Sequence, residues 1–348
     1  MNRLIREGDR SPEAADVQAR LRALGIELDD EWGAFGPSTK QAVRAFQQRR
    51  GILADGVVGP DTWLELVEAS WRLGDRVLYL KQPAIRGDDV ATLQARLNAL
   101  GFDAGRDDGI FGKSADAAVR AFQKEYGVQE DGIFGPRSHA ALVGLRVERP
   151  GVTADLREEL KRAESSGLHS TLIVVDPGHG GTDAGEQPEG RLSESDICWD
   201  IGQRLAARLA GAGARVRLSR NEAEGPESAE RARRANAIDA DLFLSLHLNT
   251  NPEPQAEGAS TYYFRASRAG EALADAIQGE LTGLGLRDCR SHGRSYPILR
   301  ETRMPAVLIE PAFITNPDEA KRLEDPDFRA AVADAVLAAA RKYYEARS

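Results

Sequence analysis

Hydrophobic positions follow two different rhythms along the 348 residues. Up to about residue 145, apolar side chains recur at three- and four-residue spacing, as in Val17, Leu21 and Leu24 or Val43 and Phe46. That is the period of one helix face. Gly-rich loops separate these helices, and a further helix is expected after Gly59-Pro60 and after Gly135-Pro136, since proline suits a first helical position. After Ser170 the rhythm changes to short β-branched runs alternating with longer amphipathic stretches. Strands are expected at Leu172–Asp176, Arg215–Ser219, Leu242–Leu248, Gly258–Phe264 and Ala306–Phe313. Helices are expected at Glu194–Ala212, Ser228–Ile238, Ala269–Leu284 and Asp327–Tyr344. Ser193 can cap the first of these helices, and Gly211-Ala212-Gly213 can stop it. Strands alternating with helices predict an α/β domain with a mainly parallel sheet flanked by helices.

The helical half repeats itself. Gln18 and Gln94, Phe46 and Phe122, and Gly59 and Gly135 each sit in matching strings, and all three pairs share one offset of 76 residues. Such an offset marks an internal duplication. Each copy reads as a small all-α module of three helices, 1–75 and 76–147, around a core holding Leu21, Leu24, Val43 and Phe46 in the first. A unit of this size has little core to spare, and neither copy carries paired acids, a ligand cluster or a nucleophile with a base. Binding therefore suits the modules better than catalysis, and His139, alone on its helix, reads as surface or packing. Trp71 to Ala84 is too apolar for a free tether, so the modules should pack on each other. A charged stretch at 148–170, with a short helix expected over 154–163, links them to the α/β domain at 171–348.

Composition narrows the class without naming a reaction. With 41% hydrophobic and 29% charged residues the chain fits a soluble globular protein. A net charge of -9 gives no support for nucleic acid as a partner. No apolar run reaches transmembrane length, and the first ten residues hold no hydrophobic signal core. As written the chain is expected in the cytoplasm, or in the cell wall if exported by another route or if its start is misplaced. Cys198 and Cys289 are too few for a disulfide scaffold and read as two small buried side chains.

Candidate chemistry gathers at the strand ends. Leu172 to Val175 runs into Asp176-Pro177-Gly178-His179-Gly180-Gly181, a strand stopping at a glycine turn that carries a histidine. In an open parallel sheet, such C-terminal ends are where ligands bind. His247 ends the third strand, Glu194 opens the first helix, and Glu310 is an acid inside the apolar run Ala306 to Ile309. Singly, His247 could be a packed strand-end residue, and Glu194 could serve only the helix dipole. Together, two imidazoles and a carboxylate are a common catalytic zinc set with His179, Glu194 and His247 as ligands. Glu310 is then the candidate acid/base, because an unpaired acid in an apolar strand is costly unless a metal or partner is near.

These strings carry resemblances. The repeat, through Leu93-Gln94, Asp108-Gly109-Ile110-Phe111-Gly112, Ala121-Phe122-Gln123 and Asp131-Gly132-Ile133-Phe134-Gly135-Pro136, resembles the peptidoglycan-binding module found beside bacterial wall hydrolases. The first copy departs from it: three extra residues lie between Gly8 and Gln18, and Trp32-Gly33-Ala34-Phe35-Gly36 replaces Asp-Gly-Ile-Phe-Gly. The second half resembles the zinc-dependent N-acetylmuramoyl-L-alanine amidases of the amidase-3 type. That likeness rests on Asp176 to Gly181, Leu192-Ser193-Glu194-Ser195-Asp196, Ser245-Leu246-His247-Leu248-Asn249 and Leu299 to Asn316. It implies hydrolysis of the lactyl–L-alanine amide of peptidoglycan or muropeptides, with Zn2+ on His179, Glu194 and His247 and with Glu310 as acid/base. It also makes Asn249 and Arg300 candidate substrate contacts. Two modules before an amidase domain resemble an actinobacterial subgroup held in the cytoplasm, some of whose members lost ligands and act on protein partners in precursor synthesis. That regulator is the rival reading. His292, in a Gly- and Arg-rich loop, is a further candidate contact.

Overall fold

The computed structural model describes residues 4–145, 167–169, 171–188 and 191–345. The helix expected over 154–163 lies outside the described residues. The chain divides into two compact units, 1–156 and 157–348.

In the first unit each repeat builds three helices: α1 (Pro12–Ala23), α2 (Pro37–Arg50) and α3 (Pro60–Glu68), then α4 (Asp88–Ala99), α5 (Lys113–Glu125) and α6 (Pro136–Val143). Each repeat has its own core, and the same positions fill both. Val17, Leu21, Phe35, Val43, Phe46, Val58 and Leu66 bury in the first; Leu93, Leu97, Phe111, Val119, Phe122, Phe134 and Leu142 bury in the second. One sequence alignment needs correcting. Ser11 caps α1 and Gly87 caps α4, while Arg10 pairs with Ala34 as Arg86 pairs with Ile110. Ser11, not Gly8, is thus the counterpart of Gly87, and no insertion separates the copies there.

The repeated glutamines explain the repeated loops. The Gln123 amide donates to Asp131 Oδ1 (2.8 Å), Ile133 O (3.0 Å) and Ser138 Oγ (3.1 Å), and its oxygen accepts from Gly132 N (2.9 Å). Gln47 makes the matching set with Asp55, Val57, Thr62 and Gly56. One buried side chain thereby satisfies the backbone of a loop too short to satisfy itself. Across the repeats, Arg50 forks onto Asp88 with two 2.9 Å bonds, and Leu73 of the connecting stretch packs on the second core. His139 packs edge-on against Phe134.

The second unit is a six-stranded sheet in the order β2-β1-β3-β6-β4-β5. Its strands are β1 (Leu172–Pro177), β2 (Arg215–Leu218), β3 (Leu242–Leu246), β4 (Ala259–Phe264), β5 (Asp288–Arg294) and β6 (Ala306–Glu310). Neighbouring strands run parallel except β4 and β6. The helices are α7 (Glu194–Gly211), α8 (Ser228–Ala237), α9 (Arg268–Thr282), α10 (Pro297–Glu301), α11 (Pro317–Glu324) and α12 (Pro326–Glu345). Ile173, Val175, Leu244 and Leu246 face a core shared with α7, α9 and α12. Val174, Phe243 and Leu308 face a second core shared with α8 and α10. Cover on both faces is why these central strands read as continuous apolar runs.

Two expectations need correction. His292 lies in strand β5, not in a loop, and its ring stacks near Tyr262 with centroids 5.5 Å apart. Cys198 is buried as expected, whereas Cys289, in that same edge strand, is partly exposed. Among the described residues no helix is long and apolar enough to cross a membrane.

Candidate metal centre

Strand register sets the site. Parallel pairing places Pro177 level with Leu246 and Leu246 level with Ile309. The chain beyond these three residues therefore carries His179, His247 and Glu310 off the same end of the sheet. Glu194 arrives from a fourth direction as the first residue of α7. That helix start is fixed by a capping box in which Ser193 and Asp196 satisfy each other's backbone N–H groups.

The ligand-type atoms converge. His179 Nε2 lies 3.0 Å and His247 Nδ1 3.2 Å from Glu194 Oε1. One donor atom from each of the three residues lies within 4.8 Å of the others. Ligands about 2.0–2.1 Å from a tetrahedral zinc sit about 3.3 Å apart, so the set fits that ion. The other imidazole nitrogen of His179 is occupied, since Nδ1 lies 2.8 Å from Asp183 Oδ2. Such a carboxylate partner fixes the tautomer and leaves Nε2 free to bind. Asp183 went unnoticed in the sequence, although an acid four residues past His179 in the glycine loop was a signal.

Glycines make room for this convergence. A Cβ on Gly178 would stand 2.6 Å from His247 Cε1, and one on Gly185 would stand 2.7 Å from His179 Cδ2. The Gly180 and Gly181 backbones, at φ +121° and +60°, adopt conformations that favour glycine.

Electrostatics separate the two acids. Burial works to raise the Glu194 carboxyl, but hydrogen bonds and charge from His179 and His247 outweigh it and hold Glu194 well below the usual carboxylate range. Burial likewise opposes charge on His179, yet Glu194 and Asp183 raise its proton affinity. Glu310 goes the other way. Burial pushes its carboxyl up to about 8, a hydrogen bond from Tyr262 works downward, and the charge of Glu194 adds to the rise. Two neighbouring carboxyls with opposite shifts are a common mark of divided roles.

Asn249 and Arg300 are each only 7% exposed. The Asn249 amide donates to Ser260 Oγ (2.7 Å), and Ser260 in turn reaches Glu310 Oε2 at 3.4 Å and Tyr262 Oη at 3.2 Å. Asn249 thus meets the site through Ser260. Arg300 sits in α10, a short helix that the sequence reading missed.

Comparison with known proteins agrees with this geometry. The profile of the N-acetylmuramoyl-L-alanine amidase family matches residues 173–342, and that of a peptidoglycan binding domain matches 10–66 and 86–142. The N-acetylmuramoyl-L-alanine amidase CwlM of Mycobacterium tuberculosis is 43% identical over 362 residues, covering 98% of this chain and 89% of that protein. The N-acetylmuramoyl-L-alanine amidase LytC of Bacillus subtilis is 33% identical, over 56% of this chain and 39% of its own. Among solved structures, an N-acetylmuramoyl-L-alanine amidase from Clostridium difficile 630 superposes with a TM-score of 0.50 at 28% identity, over 52% of this chain and all of that one. With a relative this similar across nearly its whole length, the chain belongs to the N-acetylmuramoyl-L-alanine amidase family.

Proposed function

We propose that the chain hydrolyses the amide between the lactyl group of N-acetylmuramic acid and L-alanine of the stem peptide. The two modules, 1–75 and 76–147, hold peptidoglycan, and the domain at 171–348 cleaves it. His179, Glu194 and His247 hold Zn2+ in this reading, and Glu310 is the acid/base. The observation that carries it is the convergence of two imidazole nitrogens and one carboxylate oxygen at strand ends, with a second, proton-holding carboxyl nearby.

A bound zinc supplies a concentrated positive charge that polarises a carbonyl and acidifies water. The residues of the chain do the rest. His179 and His247 each present one ring nitrogen, while Glu194, held well below the usual carboxylate range, offsets the charge of the cation. With a bound cation nearby favouring its ionised form, Glu310 accepts the proton of the attacking water and delivers it to the leaving amine nitrogen. Its raised proton affinity brings it close to the working pH, where such transfer is most efficient. Tyr262 and Ser260 orient its carboxyl. The rival reading, a regulator acting on protein partners, is not favoured, since the three residues proposed as ligands come together and the proposed acid is retained.

Muropeptides incubated with purified protein test the proposal. Free stem peptide should appear with zinc and disappear with a chelator, and no release under zinc-replete conditions would refute it. The Glu310→Gln variant should retain zinc and lose turnover. Substantial remaining turnover would remove Glu310 from the acid/base role.

A further inference from the structure

Behind the metal centre, the loop that carries His179 is gripped by two buried arginines. His179 stands at φ +56°, a left-handed backbone that non-glycine residues adopt rarely and keep only when their surroundings enforce it. Gly180 and Gly181 follow with positive φ as well. Three successive carbonyls, of Pro177, Gly178 and His179, point away from the sheet ladder and need partners.

Arginines supply them. Arg231, from α8, donates from NH1 to Pro177 O (2.8 Å) and from NH2 to His179 O (2.5 Å). Arg220, just beyond β2, donates from Nε to Pro177 O (2.8 Å) and from NH2 to Gly178 O (3.0 Å). Both are nearly sealed from solvent, at 5% and 3% exposure. Asp176, fully buried, pairs with Arg231 NH1 at 2.9 Å and accepts hydrogen bonds from Ser219 and Ser245. Arg220 also lies over the Trp199 ring and reaches Ser195 Oγ in the first turn of α7, beside Glu194. A Cβ on Gly180 would lie 2.8 Å from the Arg220 guanidinium carbon, so that glycine serves the grip as well as the turn.

We propose that Arg231 and Arg220 are positioning residues for His179, clamping the carbonyls of residues 177–179 so that its imidazole meets Glu194 and His247 at the zinc position. The inference rests on the reading of His179 as a zinc ligand. Charge alone would not need arginine. A lysine could pair with Asp176, but its point charge cannot span two carbonyls in a fixed plane as a guanidinium does. The clamp therefore predicts a loss of metal affinity that exceeds any loss of fold.

Four full-length proteins test this: the parent, His179→Ala, Arg231→Lys and Arg220→Lys. Zinc affinity is measured by competition with a chromophoric chelator, the ligand field by the visible absorption of the cobalt(II)-loaded protein, and the fold by melting of the metal-free protein. Each lysine variant should melt close to the parent, bind zinc about 10- to 100-fold more weakly and show an altered cobalt spectrum, in keeping with losses at residues that support a ligand. Parental affinity and spectrum in either variant that folds would overturn the clamp, even with a lowered melting temperature, because that pattern belongs to a purely structural role. Should Arg231→Lys fail to fold, Arg220→Lys carries the same readouts and decides the matter. Zinc uptake by the parent that survives His179→Ala intact would instead sink the ligand reading, and the clamp with it.

Discussion

A carboxyl held protonated inside a cleft should weaken the protein that carries it, and Glu310 offers a quantitative case. Its proton affinity rises from the ordinary 4.5 to about 8, burial being the largest cause. Below pH 4.5 the group is protonated in both the folded and unfolded chain and contributes no difference. Between 4.5 and about 8 the unfolded chain ionises while the folded one keeps its proton, so stability falls as pH rises across that window. Each tenfold change in proton affinity is worth about 1.36 kcal/mol, which sets a ceiling on the order of 5 kcal/mol. Partial exposure of Glu310 reduces this, and half the ceiling is about 2.5 kcal/mol, or roughly 7 °C of melting temperature for a unit of this size. Glu310→Gln removes the ionisable group while keeping the shape. Melted in chelator at pH 8.5, the variant should exceed the parent by about that margin, and at pH 4.5 the two should nearly coincide. Zinc should narrow the gap at pH 8.5, because a nearby cation favours the ionised carboxylate. A difference that does not change with pH, or a variant less stable than the parent at pH 8.5, would refute the assignment of Glu310 as a half-buried proton holder.

Because Glu194 and Asp183 raise the proton affinity of His179, a proton competes with zinc at that ring. Affinity measured by chelator competition should therefore fall from pH 8 to pH 6, and a flat profile would contradict it. Gly178→Ala would force a Cβ to within 2.6 Å of His247 Cε1 and 2.7 Å of Leu246 O. Zinc affinity should drop at least about tenfold, in the range seen when supports of a metal site are lost, and parental affinity would show that the loop yields freely. Gln123→Ala strips the Asp131–Ile133 loop of its buried partners. It should cost the second module about 2–4 kcal/mol, read as lost amide-exchange protection at Gly132, whose N–H donates to Gln123, and full protection would show that the loop holds itself.

Where the pattern of residues carried a physical reason, it was readable. Leu172 to Val175 is apolar throughout and Leu242 to Leu246 is apolar but for Ser245, because both faces of these strands are covered, and they stand out as strands. Strand β5 did not, because Asp288–Arg294 is an edge strand with Cys289 its one apolar residue and an irregular register against β4. Helices α10 and α11 are only 5 and 8 residues long, too short to display a period. The Asp131-Gly132-Ile133-Phe134-Gly135-Pro136 string points to a binding module, and the structure gives it a second meaning. Its aspartate, glycine and isoleucine are the groups that Gln123 ties down, so the motif describes a folded loop before it describes a contact.

The site divides along the same line. His179, Glu194, His247 and Glu310 were legible because each is out of place locally: histidines at strand ends among glycines, and an acid closing an apolar strand. The residues that hold them in place were not. Asp183 looks like any loop acid, while Arg220 and Arg231 look like surface charge on a chain rich in arginine. Only the fold reveals that both arginines are buried and that Asp176, read at first as the end of a strand, anchors Arg231 beneath the His179 turn. A ligand announces itself by chemistry at one position, whereas the two arginines are defined by what they touch 42 to 55 residues away along the chain. Substitutions at such supports should therefore look conservative in the sequence and still empty the metal centre, which is the behaviour the lysine variants of Arg220 and Arg231 put to the test.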